Sequence, residues 1–398
     1  MIALLLAPIY LFVCIYVLGW MLRWMTVCHS FFGSALFQYT FIVLYMMAAT
    51  ALLSSFLIKN PPWLNRLLKK ISNLWLGTFF YALIGIGTAD LVRILIHSSH
   101  ISEQSWYHPR IMFISTGALT GFLILALSIY GSCHARKLYT TAYRIPLSKS
   151  FRPGKNLNVA LIADLHLGYN TDEQFLLNAV EHINAAHPDL VILAGDTFDN
   201  DFQAIRNPGL CARILRSLNS TYGTYGCYGN HDLNEKILAG FTFHGQIEKD
   251  DSRFDTFFRS AGITMLQDEA RLIDESFYLI GRKDPSRCQK LAYENVRMTP
   301  EELTRNLDPT KPVFVIDHQP RELEALADAG VDLTFGGHTH NGQLFPGNLL
   351  LRLFCENPYG IRRKGNMFSI VTSGAGVWGP AMRIGTKSEV CIVKITFP

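Results

Sequence analysis

Apolar residues fill the first third of the chain in long blocks, then shrink to short bursts separated by polar positions. The blocks at residues 2–22, 31–58, 74–96 and 111–130 are each long enough, at about 1.5 Å per residue, to cross a hydrocarbon core of about 30 Å. A signal peptide is the alternative for the first block. No basic segment precedes it and three more blocks follow, so four mature membrane helices are predicted. Asp90 and Arg93, one turn apart in the third block, read either as an internal ion pair or as an interfacial edge. The edge is favoured because Arg93 can snorkel.

From residue 157 the periodicity changes. "LNVALIAD" suits a buried strand, "DEQFLLNAVEHINAAH" has helical spacing and "DLVILAGD" is a second buried strand, a β-α-β unit. The alternation continues through a helix near 210–218, a Gly/Tyr-rich strand and turn at "TYGTYGCYGNHD", and a helix from about 255. Strands "ITMLQ", "FYLIG", "PVFVIDH" and "VDLTFGGH" follow, with a helix "RELEALADAG" among them and a C-terminal pair of strands at "FSIVTSG" and "EVCIVKITF". This pattern predicts a mixed sheet or two packed sheets with helices outside. The polar, basic stretch before it reads as a connector ending in Pro153-Gly154. The expected division is a four-helix transmembrane region at 1–132, a basic juxtamembrane connector at 133–156 and a catalytic domain at 157–398.

Basic residues concentrate in two places. "KNPPWLNRLLKKISN" carries Lys59, Arg66, Lys69 and Lys70, and the connector carries Arg136, Lys137, Arg144, Lys149, Arg152 and Lys155, against Arg23 and Arg110 in the other two loops. With four spans both basic segments fall on one side, so the positive-inside rule places the N-terminus and the C-terminal domain in the cytoplasm. A net charge of +4, gathered beside the membrane, argues for anionic headgroups as partner rather than nucleic acid. The eight cysteines show no C-x-x-C pair and read as free thiols of a reducing compartment.

Candidate chemistry collects where the apolar strands end. Asp164 and His166 follow "ALIA", Asp196 follows "VILAG", Asn230 and His231 follow "CYG", His318 follows "FVID", and His338 and His340 follow "LTFGG". Each alone could be a helix cap, a turn or a satisfied histidine. Five strand ends supplying carboxylates and imidazoles, with no Lys or Arg among them, would place acceptors in one cleft, at the edge where α/β sheets form ligand sites. Divalent metals stabilise such a cluster, and a shared carboxylate can hold two ions about 3.5–4 Å apart.

The ordered set "DLHLG", "GDTFD", "GNHD", "DH" and "GGHTH" resembles the signature blocks of the calcineurin-like metallophosphoesterase superfamily, and the later stretch "GAGVWGPAMRIGTKSEVCIVKI" resembles the end of its membrane-anchored branch with an N-terminal multi-span region. The resemblance spans about residues 157–398. It implies a four-layer α/β/β/α metallophosphoesterase sandwich. It further implies that Asp164, His166 and His340 hold one metal, that Asn230, His318 and His338 hold the other, and that Asp196 bridges them. The family's usual metals are manganese, iron or zinc; the all-N/O donor set excludes a thiolate site, and manganese is the first expectation. Asp199 stands where purple acid phosphatases carry a Tyr ligand, and the resemblance assigns it to orient His231, the expected proton donor to the leaving group.

The implied activity is hydrolysis of a phosphodiester or pyrophosphate by metal-activated water. Anchoring points to a lipid-linked substrate. A soluble phosphodiester or nucleotide, with incidental anchoring, and a metal-binding membrane sensor without turnover remain the alternatives. Arg282, Lys283 and Arg287 are expected in a solvated loop rather than on a phosphate. Phe241, Phe243, Phe257 and Phe258 are expected in the core rather than lining an acyl path. Alternation along "GGHTH" is expected to point His338 and His340 the same way, with Gly336 and Gly337 letting backbone approach the cluster.

Overall fold

The computed structural model describes residues 2–104, 107–151, 155–235, 237–238, 241–242, 251–291 and 296–398. Contacts divide the chain into two compact units. The first is built on four helices, α1 (Ile2–Cys28), α2 (Ala35–Leu57), α3 (Pro62–His97) and α4 (Pro109–Ala135), all long and apolar enough to cross a membrane. Cys14, Val17, Trp20, Tyr45, Phe79 and Ile86 pack inward, whereas Phe12, Leu36, Leu44 and Phe122 face out, the inverse of a water-soluble bundle.

Two expectations are refined here. Asp90 accepts hydrogen bonds from Tyr16 Oη at 2.6 Å, Trp20 Nε1 at 3.0 Å and Arg93 at 2.9 Å, so the two residues form an ion pair, and Asp90 ties α3 to α1. Arg93 also lies 4.3 Å from the Phe113 ring centre, while its side chain stays 38% exposed. The basic second loop is not a loop: Pro62 occupies the first turn of α3, and Arg66, Lys69 and Lys70 ride on its start. At 36 residues the helix is about 54 Å long and outreaches the bilayer core.

The second unit contains β1 (Leu138–Pro146), β2 (Leu157–Ile162), α5 (Glu173–Ala185), β3 (Leu190–Ala194), α6 (Pro208–Arg216) and β4 (Thr224–Cys227). The two-residue strands β5 (Ile237–Leu238) and β6 (Phe241–Thr242), which group with the first unit, pair with each other. Then come α7 (Ser252–Ser260), β7 (Thr264–Met265), β8 (Glu269–Ile273), β9 (Phe277–Gly281), α8 (Pro285–Lys290), α9 (Pro300–Thr304) and β10 (Val313–Ile316). The chain closes with α10 (Leu323–Asp328), β11 (Leu333–Gly336), α11 (Gly347–Phe354), β12 (Gly360–Lys364), β13 (Met367–Val371) and β14 (Ser388–Thr396).

Two six-stranded sheets result, ordered β1-β14-β2-β3-β4-β7 and β12-β13-β11-β10-β9-β8. Alternation along the strands builds three apolar layers. Val159, Leu161 and Ile192 of one sheet meet Leu279, Phe314 and Phe335 of the other. Ala160, Val191 and Leu193 face α5, α6 and α7 through Leu176, Leu215, Phe254, Phe257 and Phe258, while Val313 and Val315 face Leu303, Leu323 and Leu326 of α9 and α10. The architecture is the expected four-layer α/β/β/α sandwich. α5 shows the local logic: Asp172 caps it through Phe175 N, and Leu176, Ala179, Val180 and Ile183 are its buried stripe.

Other readings are corrected. Residues 138–146, inside the expected connector, are an edge strand whose nine residues pair parallel to β14 and whose Leu138 and Ile145 are buried. Both expected C-terminal strands are present but lie in different sheets, β13 beside β11 and β12 and β14 between β1 and β2. Phe257 and Phe258 are core as expected. Phe243, Pro153-Gly154 and the side chain of Phe241 lie outside the described residues.

Because β1 seals one edge of the sheet, a truncated chain starting at Leu157 should expose the whole of β14. It should melt at least about 5 °C below a chain starting at His134 and aggregate more readily. Equal melting by circular dichroism would show that β1 is dispensable.

Candidate metal centre

The polar residues that follow the five strands converge. β2, β3 and β4 are parallel neighbours, as are β10 and β11 of the other sheet, and their carboxyl ends meet across the sandwich. Backbone pairing continues past the strand ends: Asp164 N donates to Gly195 O, His166 N to Asp196 O and Gly337 N to His318 O. The loops are therefore fixed to one another rather than free. Asp164, His166, Asp196, His338 and His340 all have φ between 46° and 72°, a left-handed conformation costing about 1 kcal/mol or more at each non-glycine residue. Such strain persists where surroundings over-determine it, as at a functional site.

Among the described residues three groups of potential ligands form, one of them His166, Asp199 and His231, whose donor atoms lie within 4.8 Å of one another. The side-chain donor atoms of Asp164, His166 and His340 lie within 4.8 Å of one another, as do those of Asp196, His318 and His338. Asp196 stands between these last two groups. Its Oδ1 accepts from His231 N at 2.7 Å, and its Oδ2 is 3.0 Å from His318 Nε2, 3.9 Å from His166 Nε2 and 4.0 Å from His231 Nε2. His338 N donates to both carboxylate oxygens of Asp164 at 3.0 Å. Nδ1 of His318 faces the Ala194 carbonyl at 2.8 Å; a carbonyl only accepts, so the proton sits on Nδ1 and Nε2 is presented to the cluster.

The donor chemistry fits divalent cations. The Oδ1 of Asn230 and the Nε2 of His318 are buried without a hydrogen-bond partner, and Nε2 of His166 faces Nε2 of His340 at 3.0 Å. Acceptors packed this way need positive charge between them, and nitrogen and oxygen donors suit divalent first-row metals. Close approach of backbone is built in. A Cβ on Gly229 would collide with the Asp196 carboxylate, and one on Gly337 with that of Asp164.

Burial raises the Asp164 carboxyl to about 6, with the neighbouring Asp196 charge adding to it and His318 opposing. For Asp196 burial acts upward too, but His318, His231 and His166 outweigh it and hold the carboxyl well below its usual range. Burial lowers His338 to about 3 and His231 to about 4, keeping both neutral and able to coordinate or accept a proton near neutrality. Burial pulls on His318 as well, yet the Asp196 and Asp164 charges raise it.

Several expectations are refined. His338 and His340 do not alternate along a strand, because β11 ends at Gly336 and both sit in the left-handed turn that follows. They still reach different groups, and Gly337 makes the close approach expected of it. Asp199 lies within reach of both His166, with Oδ1 at 3.6 Å from Nδ1, and His231, while Asn200 Oδ1 accepts from His231 Nδ1. Arg282 and Arg287 are buried rather than solvated: Arg282 pairs with Asp317 at 3.2 Å and Arg287 bonds the Asp232 carbonyl.

Sequence reasoning passed over Asp232, Arg383 and Trp378. Asp232, the last letter of "GNHD", accepts from Gly229 N and Phe198 N and so locks the β4 loop onto the Asp196 loop; its burial lifts it to about 7. Arg383 is fully buried and braces the His340 turn, with its guanidinium 3.2 Å from His340 Nδ1 and donating at 2.6 Å to the carbonyls of Ser373 and Gly376. The Trp378 ring lies 5.6 Å from that of His231. Asp232 lies in "GNHD", and Trp378 and Arg383 lie in the stretch "GAGVWGPAMRIGTKSEVCIVKI"; both stretches carry the family resemblance, but it assigns no role to these three residues.

Protons should compete with metal at Asp164. Because its pKa is raised, it is ionised above pH 6 and protonated below. Mn2+ affinity measured by titration calorimetry should therefore be nearly level from pH 7 to 8 and fall about fivefold from pH 6 to 5. An affinity independent of pH over that whole range would contradict the assignment of Asp164 to the cation site.

Comparison with known proteins agrees with this geometry. Residues 157–342 match the family model described as calcineurin-like phosphoesterase. A metallophosphoesterase of Aquifex aeolicus is 30% identical over 280 residues, covering 69% of this chain and 98% of that protein. A "transmembrane protein with metallophosphoesterase domain" of Danio rerio is 24% identical over 347 residues, 83% of this chain and 73% of the other. UDP-2,3-diacylglucosamine pyrophosphatase LpxG of Chlamydia trachomatis is 23% identical over 341 residues, 72% of this chain and 99% of the other. The match to that family model and those relatives, beside a cluster of carboxylates and imidazoles at the strand ends, places the chain in the calcineurin-like metallophosphoesterase family as a membrane-associated, metal-dependent phosphoesterase.

Proposed function

We propose that the chain hydrolyses a phosphodiester or pyrophosphate bond of a lipid-linked substrate at a centre of two divalent cations. The observation that carries this reading is Asp196, a buried carboxylate within reach of histidines from both ligand groups. In it Asp164, His166 and His340 hold one ion, Asn230, His318 and His338 the other, and Asp196 spans both. Two such ions supply Lewis-acid charge to the phosphoryl oxygens and make water nucleophilic near neutral pH. The nitrogen and oxygen donors favour manganese, with iron or zinc as substitutes.

The chain's own residues do the rest. Asp199 orients His166 through Nδ1, as outer carboxylates orient metal-bound histidines. Asn200 Oδ1 accepts from His231 Nδ1 and fixes the ring, leaving the unprotonated Nε2 toward the cluster, where it would take up the proton released by the attacking water and pass it to the departing oxygen. Asp232 keeps Asn230 and His231 in register with Asp196.

Two observations support a lipid-linked substrate: the four candidate membrane helices, and the similarity to a relative named for a diacylated nucleotide sugar. The basic residues at the start of α3 and after α4 favour a multi-pass chain with its catalytic unit in the cytoplasm.

The test is turnover by purified full-length protein with Mn2+ on an aryl phosphodiester and on a lipid-linked pyrophosphate. Asp196→Asn and His231→Ala should each reduce both activities by at least about a hundredfold without shifting the melting curve. Wild-type rates in either variant would sink the site assignment, and a kcat/KM no higher for the lipid than for a water-soluble pyrophosphate would remove the lipid specificity.

A further inference from the structure

α11, with the sequence "GNLLLRLF", begins one tight turn after His340. Leu349, Leu350, Leu353 and Phe354 are exposed at 49, 55, 75 and 82%, and no residue of the helix is buried. At about 100° per residue these four side chains occupy one arc of about 140°. A helix that served only the core would turn that arc inward. Single exposed apolar side chains are ordinary, but four large ones on two turns form a patch that calls for a partner.

Charge indicates the partner. From Leu333 to Ser388 the chain carries six basic residues, Arg352, Arg362, Arg363, Lys364, Arg383 and Lys387, and one acid, Glu356. That acid is engaged, accepting from Glu322 N at 3.0 Å. Arg352 is exposed on the flank of the apolar arc, and Arg362 and Arg363 are exposed on β12. Leucine and phenylalanine on one face with arginine at its border is the composition of helices that lie in the interface of anionic bilayers. The same chain already carries four helices able to cross a membrane.

The helix is tied to the catalytic rim. Gly347 N donates to Leu344 O at 2.7 Å and Phe345 N to Ile384 O at 2.8 Å, closing the turn between His340 and α11. Gln343 in that turn exchanges hydrogen bonds with the backbone of Trp378, at 2.9 Å to its carbonyl and 3.0 Å from its N–H. Trp378 in turn stands beside His231. We propose that α11 docks on the surface of an anionic bilayer, with Leu349, Leu350, Leu353 and Phe354 in the headgroup and acyl boundary and Arg352 among the phosphates. The rim formed by the His340 turn and Trp378 is then held at the lipid surface. This docking does not depend on the reaction proposed above.

Hydrogen exchange of the full-length protein in lipid nanodiscs tests it. With phosphatidylglycerol present, amides of residues 347–354 should exchange at least about tenfold more slowly than in discs of phosphatidylcholine alone. Leu353→Glu with Phe354→Glu, both exposed positions away from the candidate ligands, should abolish that difference while melting and metal content stay unchanged. Exchange that is the same in both lipids and in the double variant would overturn the docking. So would protection that appears only as protein concentration rises, which would indicate a second copy of the chain as occupant. The exchange result stands whether or not any lipid is hydrolysed, so its failure is distinct from loss of turnover.

Discussion

The active region is organised around one buried charge. The Asp196 carboxylate sits at the seam between the two sheets, where leaving water is costly unless opposite charge is close by. Its partners come from separate parts of the chain: the backbone N–H of His231 after β4 and the imidazoles of His318 after β10 and His166 after β2. Each partner requires its strand to end at the same level. The parallel neighbours β2, β3 and β4 supply one side of that level and β10 with β11 the other. The left-handed turns at Asp164, His166, Asp196, His338 and His340 are local strain borne by a fold that fixes both ends of every loop.

Much of this was legible in the chain because burial and polarity conflict there. A strand covered on both faces should be apolar throughout, so a carboxylate or imidazole at its end stands out, as at Asp164, Asp196 and His318. The same rule made the two-sheet, helix-flanked architecture readable. What stayed hidden depended on contacts far apart in sequence. β1 has strand-like alternation, but its polar outer positions read as a connector until β14 is seen to pair with all nine of its residues. Arg66, Lys69 and Lys70 read as a loop because charge masked a helix that Pro62 could start.

The choice between Asp199 and Asn200 was also beyond local reading. Asp199 is within reach of both His166 and His231, and Asn200 is committed to His231 by its own turn: its N–H donates to His231 O, its carbonyl accepts from Glu235 N, and its φ is 56°. A motif position names a residue type; the turn decides which neighbour is committed to the ring. Arg282 makes the same point for charge, since an arginine in a polar stretch became one of the largest fully buried side chains by pairing with Asp317, the residue preceding His318. Both cases show supports for the site's histidines placed by tertiary packing.

The account's central claim is that the two clusters are separate cation sites joined by one carboxylate, and counting ions per chain tests it most directly. Metal content of the purified protein, by inductively coupled plasma mass spectrometry after equilibration with Mn2+, should be about two ions per wild-type chain and about one for His338→Ala. It should be one or fewer for Asp196→Asn, with folding retained in each. A single ion in the wild type, or two in Asp196→Asn, would contradict it.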